Sequence, residues 1–253
     1  MNKIILSLII VTFLAILIYC LHLASKKNIA KTPLIIEEDE EVIPKLTFSN
    51  TQKWHSSYLN LANNVTPYQL DIVDKFDMKN MNYPSDEETN EEIEELLILE
   101  KNRTQQDIEN INYELKLKNV ISRFTDNKML QKNLTSLIEE YMKLVYYLKK
   151  YYDRVRPSYY DKSIKIGVGI PLHASYPSGH ASQAYFIANY MSYVDPSKKE
   201  FYYDVANQTA KNREIGGVHY KSDTDFGKYI ADKYFEQLKH DGYITNEPSN
   251  NDY

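Results

Sequence analysis

Cysteine is almost missing from this chain: Cys20 is the only one in 253 residues. No intrachain disulfide can form and no cysteine-based metal centre can be built, so stability has to come from packing. Positive charge is not in excess either. With 30 Lys and Arg against 35 Asp and Glu the formal net charge is −5, which argues against a general nucleic-acid binder, whose surface is usually basic. Also lacking are a run of period-two alternation that reads as a strand, a repeat at a solenoid period, and a cluster of histidines and carboxylates at metal-ligand spacing. These absences predict an all-α chain and supply no metal or cofactor site.

One long apolar run is present, from Ile4 to Ala24, with no formal charge apart from any on His22. Its length suits a single bilayer span, which predicts one N-terminal hydrophobic helix holding the protein at a membrane through residues 4–24. Cleavage as a signal peptide is the rival reading, because Lys3 provides a short positive start, although no small-x-small site follows. Lys26, Lys27 and Lys31 after the run favour a cytoplasmic domain, but the bias is small and such segments often act as export signals.

A 43% hydrophobic and 13% aromatic content at this length suits one globular domain with appendages. The expected division is an anchor or signal segment (1–27), a linker and N-terminal extension (28–80), a folded domain (81–243) and a tail (244–253). Glu37-Glu38-Asp39-Glu40-Glu41 and scattered prolines give residues 25 to about 50 the composition of a tether. Ser85 can cap a helix through Leu99, and Thr104 with Asp107 resembles a capping box for the next. Leu130, Leu134, Leu137, Tyr141, Leu144, Val145 and Leu148 mark one face of a long helix between Met129 and Lys150. Further helices are predicted from Gly179 to about Tyr193, from a Ser197/Glu200 capping box to about Arg213 with a stop at Gly216-Gly217, and from a Ser222/Asp225 box to Gly242.

Three segments carry the chemistry: Lys149 to Arg156-Pro157, Pro177-Ser178-Gly179-His180, and Arg213 to His219 and Asp223. A phosphate monoester presents a dianion to be held, a phosphorus to be attacked in line and a leaving oxygen that needs a proton. Lys149, Arg156 and Arg213 can neutralise the non-bridging oxygens. Ser178 and the Gly179 amide stand at a helix start, where free donors and the dipole favour an anion. Asp223 lies one turn from His219 and can fix its tautomer, which makes His219 the nucleophile and leaves His180 as the acid and then the base. Taken singly, each segment is more often a turn or a helix cap; their joint appearance in this order favours the catalytic reading.

Together the segments resemble the type 2 phosphatidic acid phosphatase superfamily. Tyr176, the Gly217-Val218-His219-Tyr220 run and the stretch from Glu94-Glu95-Leu96-Leu97 to Arg103-Thr104 look most like its bacterial class A acid phosphatases. The resemblance covers roughly residues 80 to 240. It implies an all-α helical bundle of the acid phosphatase and vanadium haloperoxidase type, and metal-independent phosphomonoester hydrolysis through a phosphohistidine, without a cofactor. It also implies an extracytoplasmic domain, single-pass or released to the periplasm or medium after cleavage. Asn212 stands where that family usually has serine, and Ser158 where an aromatic is frequent, which touches pocket detail more than the charged groups. Four Asn-x-Ser/Thr sequons, at Asn64, Asn102, Asn133 and Asn207, gain meaning only on a secretory route. Other readings are a lipid phosphate phosphatase at the membrane surface, a haloperoxidase sharing the oxyanion pocket, and, from a different class, a non-catalytic phosphate-binding protein.

Overall fold

Capping side chains set where several helices begin. A computed structural model describes residues 46–81 and 83–244; the apolar run at 4–24 and the acidic stretch after it lie outside the described residues. The α-helices are α1 (Phe48–Thr51), α2 (Ser56–Asn63), α3 (Pro67–Lys75), α4 (Asp86–Asn102), α5 (Gln105–Tyr113), α6 (Leu117–Ser122), α7 (Lys128–Tyr152), α8 (Pro157–Tyr160), α9 (Gly179–Val194), α10 (Lys199–Ile215) and α11 (Lys221–His240). Ser85 accepts from the Glu88 amide at 3.2 Å while Glu88 accepts from the Ser85 amide at 2.8 Å, closing the box that opens α4. Thr104 and Asp107 do the same for α5. Among the described residues no strand occurs, and Thr47 with Arg154 forms an isolated bridge.

The bundle is built around α9, whose Ala181, Ala184, Phe186, Ile187 and Ala188 are all solvent-free. A helix apolar on so many sides must be enclosed, and α9 is packed by α7, α10 and α11. Tyr141 of α7 stacks on Phe186 of α9 at 5.0 Å and on Tyr234 of α11 at 4.8 Å, joining three helices through one aromatic column. Each such pair contributes about 0.5–1.5 kcal/mol beyond its buried area.

Residues 48–78, expected as part of an extension ahead of the domain, are built into this core. Phe48, Trp54, Ala62, Ile72, Val73 and Met78 are all buried in it. The Phe48 amide donates to the Asp153 carbonyl at 2.8 Å, and the Trp54 indole donates to the Asp153 carboxylate at 3.2 Å. The folded domain therefore begins at α1 rather than at residue 81. Helices of 4, 8 and 9 residues are too short to print a periodic stripe in the sequence.

Two predicted helix starts are corrected. Ser197 does not cap α10: its amide and hydroxyl turn back to Asp195 across a 3-10 turn at Pro196–Lys198. Ser222 does not open α11 with Asp225, because its hydroxyl donates to Glu92 at 2.9 Å and Asp225 pairs with Lys221 instead. The carboxylate that closes the first turn of α11 is Asp223, which accepts from the Tyr220 amide at 3.1 Å. No helix among the described residues is long and apolar enough to cross a membrane.

Candidate active site

After α10, Gly217 takes φ +70°, a left-handed conformation that turns the chain toward α11; a Cβ there would also stand 3.2 Å from Ile164 Cγ2. The turn delivers His219 to Asp223, with Nδ1 2.8 Å from Oδ2. An ionised carboxylate only accepts, so Nδ1 carries the proton and Nε2 keeps its lone pair. Asp223 is fully buried and fully occupied. Oδ2 also accepts from Ser175 Oγ and from the Tyr220 amide, and Oδ1 accepts from Arg154 Nη1 at 2.9 Å. Burial alone would raise its pKa, but Arg154 and then His219 and Ser175 overcome that and hold the carboxyl well below its usual range. Burial, joined by the Arg156 charge, pushes His219 down to about 3 against the pull of Asp223.

Ser178 caps α9, accepting from the Ala181 amide at 3.4 Å, while its own amide donates to the Asp223 carbonyl at 2.8 Å. The second and third motifs are thus tied through one backbone bond. A Cβ on Gly227 would meet the Ser178 carbonyl oxygen at 2.8 Å, so only glycine lets α11 approach the start of α9 this closely. His180 donates from Nε2 to the Glu114 carbonyl at 3.1 Å, which leaves Nδ1 as the unprotonated nitrogen of the neutral ring. Loss of solvent, then Arg213 and His219, lower its pKa well below the usual imidazole value.

The four buried Lys and Arg side chains among the described residues differ in what neutralises them. Arg213 pairs with Glu114 at 2.9 Å, and Arg154 pairs with Asp223 at 2.9 Å and Glu92 at 2.8 Å. Lys149 donates to the carbonyls of Ala174 (3.0 Å), Ser175 (2.9 Å) and Pro177, and to no carboxylate. Arg156 donates to the carbonyls of His173 (3.0 Å) and Val218 (2.6 Å), and its Nη1 stands 3.4 Å from His219 Nε2. Among the described residues neither Lys149 nor Arg156 has an ion-pair partner. Burial, with Arg156 adding to it, drives Lys149 well below its ordinary pKa, and burial brings Arg156 down to about 10. Buried charge without a counter-charge is costly, and an arriving anion would relieve it.

Gly179, His180, Arg213 and His219 line one cavity of about 330 Å³, together with His173, Tyr58 and Tyr146. Lys149, Arg156, Ser178 and Asp223 are buried behind its wall. All eight residues singled out from the sequence therefore gather at one place: His219, His180, Asp223, Lys149, Arg156, Ser178, Gly179 and Arg213. Reasoning from sequence missed four more. Arg154 lies inside the segment from Lys149 to Arg156 but had no assigned role; Ser175 lies two residues before Pro177; Glu114 and His173 carry no motif, and only the fold brings them in. Among the described residues no group of three or more His, Cys, Asp or Glu side chains is placed to hold a metal ion.

No family model matches the chain. A solved structure of a holo-type bacterial vanadium-dependent chloroperoxidase is similar to it at 14% identity and a TM-score of 0.46. The match covers 63% of this chain and 51% of that one, so the chain spans about half the length of the chloroperoxidase.

Proposed function

We propose that this protein is a metal-independent phosphatase that hydrolyses phosphate monoesters through a phosphohistidine at His219. One observation carries the reading: Arg156, a buried cation without an anionic partner, stands 3.4 Å from the Nε2 of an imidazole whose tautomer leaves that nitrogen its lone pair, and Lys149, also without an anionic partner, acts on the same imidazole through its charge. The spacing of the three motifs and their resemblance to the type 2 phosphatidic acid phosphatase superfamily support it.

In this mechanism the phosphate oxygens take their counter-charge from Arg213 on the cavity wall and from Lys149 and Arg156 behind it, and hydrogen bonds from the Gly179 amide and the Ser178 hydroxyl at the start of α9. His219 Nε2 forms a bond to phosphorus as the bond to the leaving oxygen breaks. Protonated His180 gives that oxygen a proton from Nδ1, because Nε2 stays on the Glu114 carbonyl. The neutral His180 then takes a proton from water, whose oxygen attacks the phosphohistidine, breaks the P–N bond and releases inorganic phosphate. Asp223 stabilises the charge on His219 in both steps, and Arg154 keeps Asp223 ionised.

Phosphate release after exhaustive dialysis against EDTA tests the reading. Activity is expected to persist and to be inhibited by vanadate, which mimics the pentacoordinate phosphorus. Loss of activity that zinc or magnesium restores would count against it. Vanadate binding without turnover of any ester would favour a phosphate-binding protein.

A further inference from the structure

The charged groups of the site share their cavity with aromatic and apolar side chains. Tyr58 and Tyr146 stack at 5.1 Å and 19°, and both set their rings edge-on to His173, at 4.6 and 5.2 Å. His173 in turn lies with Nδ1 3.1 Å from Arg156 Nη2, so the aromatic wall adjoins a phosphate-binding cation. On another side Glu114 holds Arg213 by its carboxylate and His180 by its carbonyl. The next residue, Leu115, lines the cavity while half exposed, and Leu117 lines it from the first turn of α6. Met142 Cε comes within 3.4 Å of where a Gly179 side chain would begin.

Among the described residues no Asp, Glu or Lys lines this cavity, and the polar side chains on it beyond three histidines and Arg213 belong to Gln183, Tyr58 and Tyr146. A sugar or nucleoside leaving group carries several hydroxyls, and each one buried here without a partner would cost binding free energy. A hydrocarbon leaving group gains from the same walls in proportion to the area it buries. The cavity of about 330 Å³ also has to hold the phosphate, so the part of the leaving group that it encloses is a ring or a short chain.

We infer that the substrates are phosphate monoesters of compact apolar alcohols, with the aromatic ring or short alkyl chain received by Tyr58, Leu115, Leu117, Met142, Tyr146 and Pro171. This rests on the phosphatase reading above and adds the class of leaving group to it. Leu115 and Leu117 lie one and three residues after Glu114, so the segment that orients His180 also contacts the group His180 protonates.

A homologous series of alkyl phosphates tests the inference, because from ethyl upward the basicity of the leaving oxygen barely changes while its buried area grows. kcat/KM is expected to rise roughly fourfold per added methylene, then to level off when the cavity is full. Butyl phosphate, whose leaving oxygen is no less basic than theirs, should exceed glycerol phosphate, glucose 6-phosphate and a nucleoside monophosphate by about tenfold or more. Leu115→Ser, at a half-exposed position, should flatten the slope of the series; should that variant not fold, the wild-type series decides alone. A flat series, or a preference for the polyhydroxylated esters, would overturn the inference with the phosphatase reading intact. Turnover that keeps rising into long-chain lipid phosphates presented in micelles would overturn its size limit. No phosphate from any ester, 4-nitrophenyl phosphate included, would overturn both, and that complete silence separates it from the other results.

Discussion

The two halves of the site are built to different standards. Around His219 every polar partner is itself held. Asp223 bridges the imidazole, Ser175, the Tyr220 amide and Arg154, and Arg154 goes on to Glu92, Ser222 and Thr89 while covering the Tyr220 ring at 3.7 Å. Around His180, among the described residues, a single backbone carbonyl fixes the ring, and that carbonyl belongs to the turn between α5 and α6. In the proposed mechanism His219 is the nucleophile and His180 the acid; a nucleophile must meet phosphorus at one angle and in one tautomer, so a closed network suits it. A proton donor serving several leaving groups tolerates a looser mounting beside an apolar wall.

The contrast predicts unequal losses. His219→Ala is expected to lower kcat by on the order of 10⁴–10⁶-fold with every ester. His180→Ala should cost about 10²–10⁴-fold with alkyl phosphates and far less with 4-nitrophenyl phosphate, whose leaving group departs without a proton. Steady-state kinetics on both esters checks this; an equal loss on good and poor leaving groups would remove His180 from the acid's role.

Next in size is Asp223→Asn, expected to lower kcat by on the order of 10²–10⁴-fold because an amide cannot enforce the Nδ1–H tautomer. Vanadate affinity should stay within a few-fold, since Lys149 and Arg156 remain. Titration of vanadate inhibition beside turnover reads the two separately, and a parallel fall in both would show that Asp223 shapes the anion pocket and not the imidazole. Arg154→Met should lower both thermal stability and kcat, because removing one partner of a buried ion pair costs about 3–5 kcal/mol. Differential scanning calorimetry and kinetics on one preparation check both effects.

How much of this was legible beforehand divides along the same line. The motif spacing exposed His219, Asp223, His180 and the three cations, because each is a chemical group needed at a fixed separation. The long stripe from Leu130 to Leu148 was equally plain, since α7 buries Leu134, Tyr141, Leu144, Val145 and Leu148 in one face. Glu114 and His173 were not legible. Glu114 lies 99 residues from Arg213 and is an ordinary helix-end glutamate until the fold closes. The short helices α1 to α3 escaped for the other reason: tertiary packing, not local periodicity, makes them helical. Ser197 was misread as a cap because Asp195, two residues earlier, competes for the same turn.

A smaller effect concerns pH. Above about 3 His219 is neutral in the free protein, whereas His180 must be protonated to act and is held well below the usual imidazole value. kcat/KM, corrected for ionisation of the ester, should therefore rise as pH falls from 7. A bound phosphate dianion favours the protonated imidazole, so the alkaline limb of kcat should lie at higher pH than that of kcat/KM. Coincident limbs would show that phosphate does not sit near His180.

The smallest effect is on stability. His173 and His219 are buried and have lowered pKa values in the folded state, so the unfolded chain takes up protons first. Their stabilising contribution is full above about pH 6.5 and is lost as pH falls, by up to about 1.4 kcal/mol per pH unit for each. Melting temperature should drop from pH 7 to pH 5, and saturating vanadate should offset the drop by mass action. A melting temperature that is flat across that range would show both imidazoles to be solvated.

The claim on which the rest depends is covalent attachment of phosphate to His219. Protein mixed with a fast-leaving ester in EDTA, quenched in alkali and mapped by mass spectrometry, should carry an acid-labile, base-stable phosphoryl group on the peptide containing His219. It should accumulate in His180→Ala, where hydrolysis of the intermediate is slowed, and be absent from His219→Ala. Phosphate on a different residue, or full turnover in His219→Ala, would contradict the account.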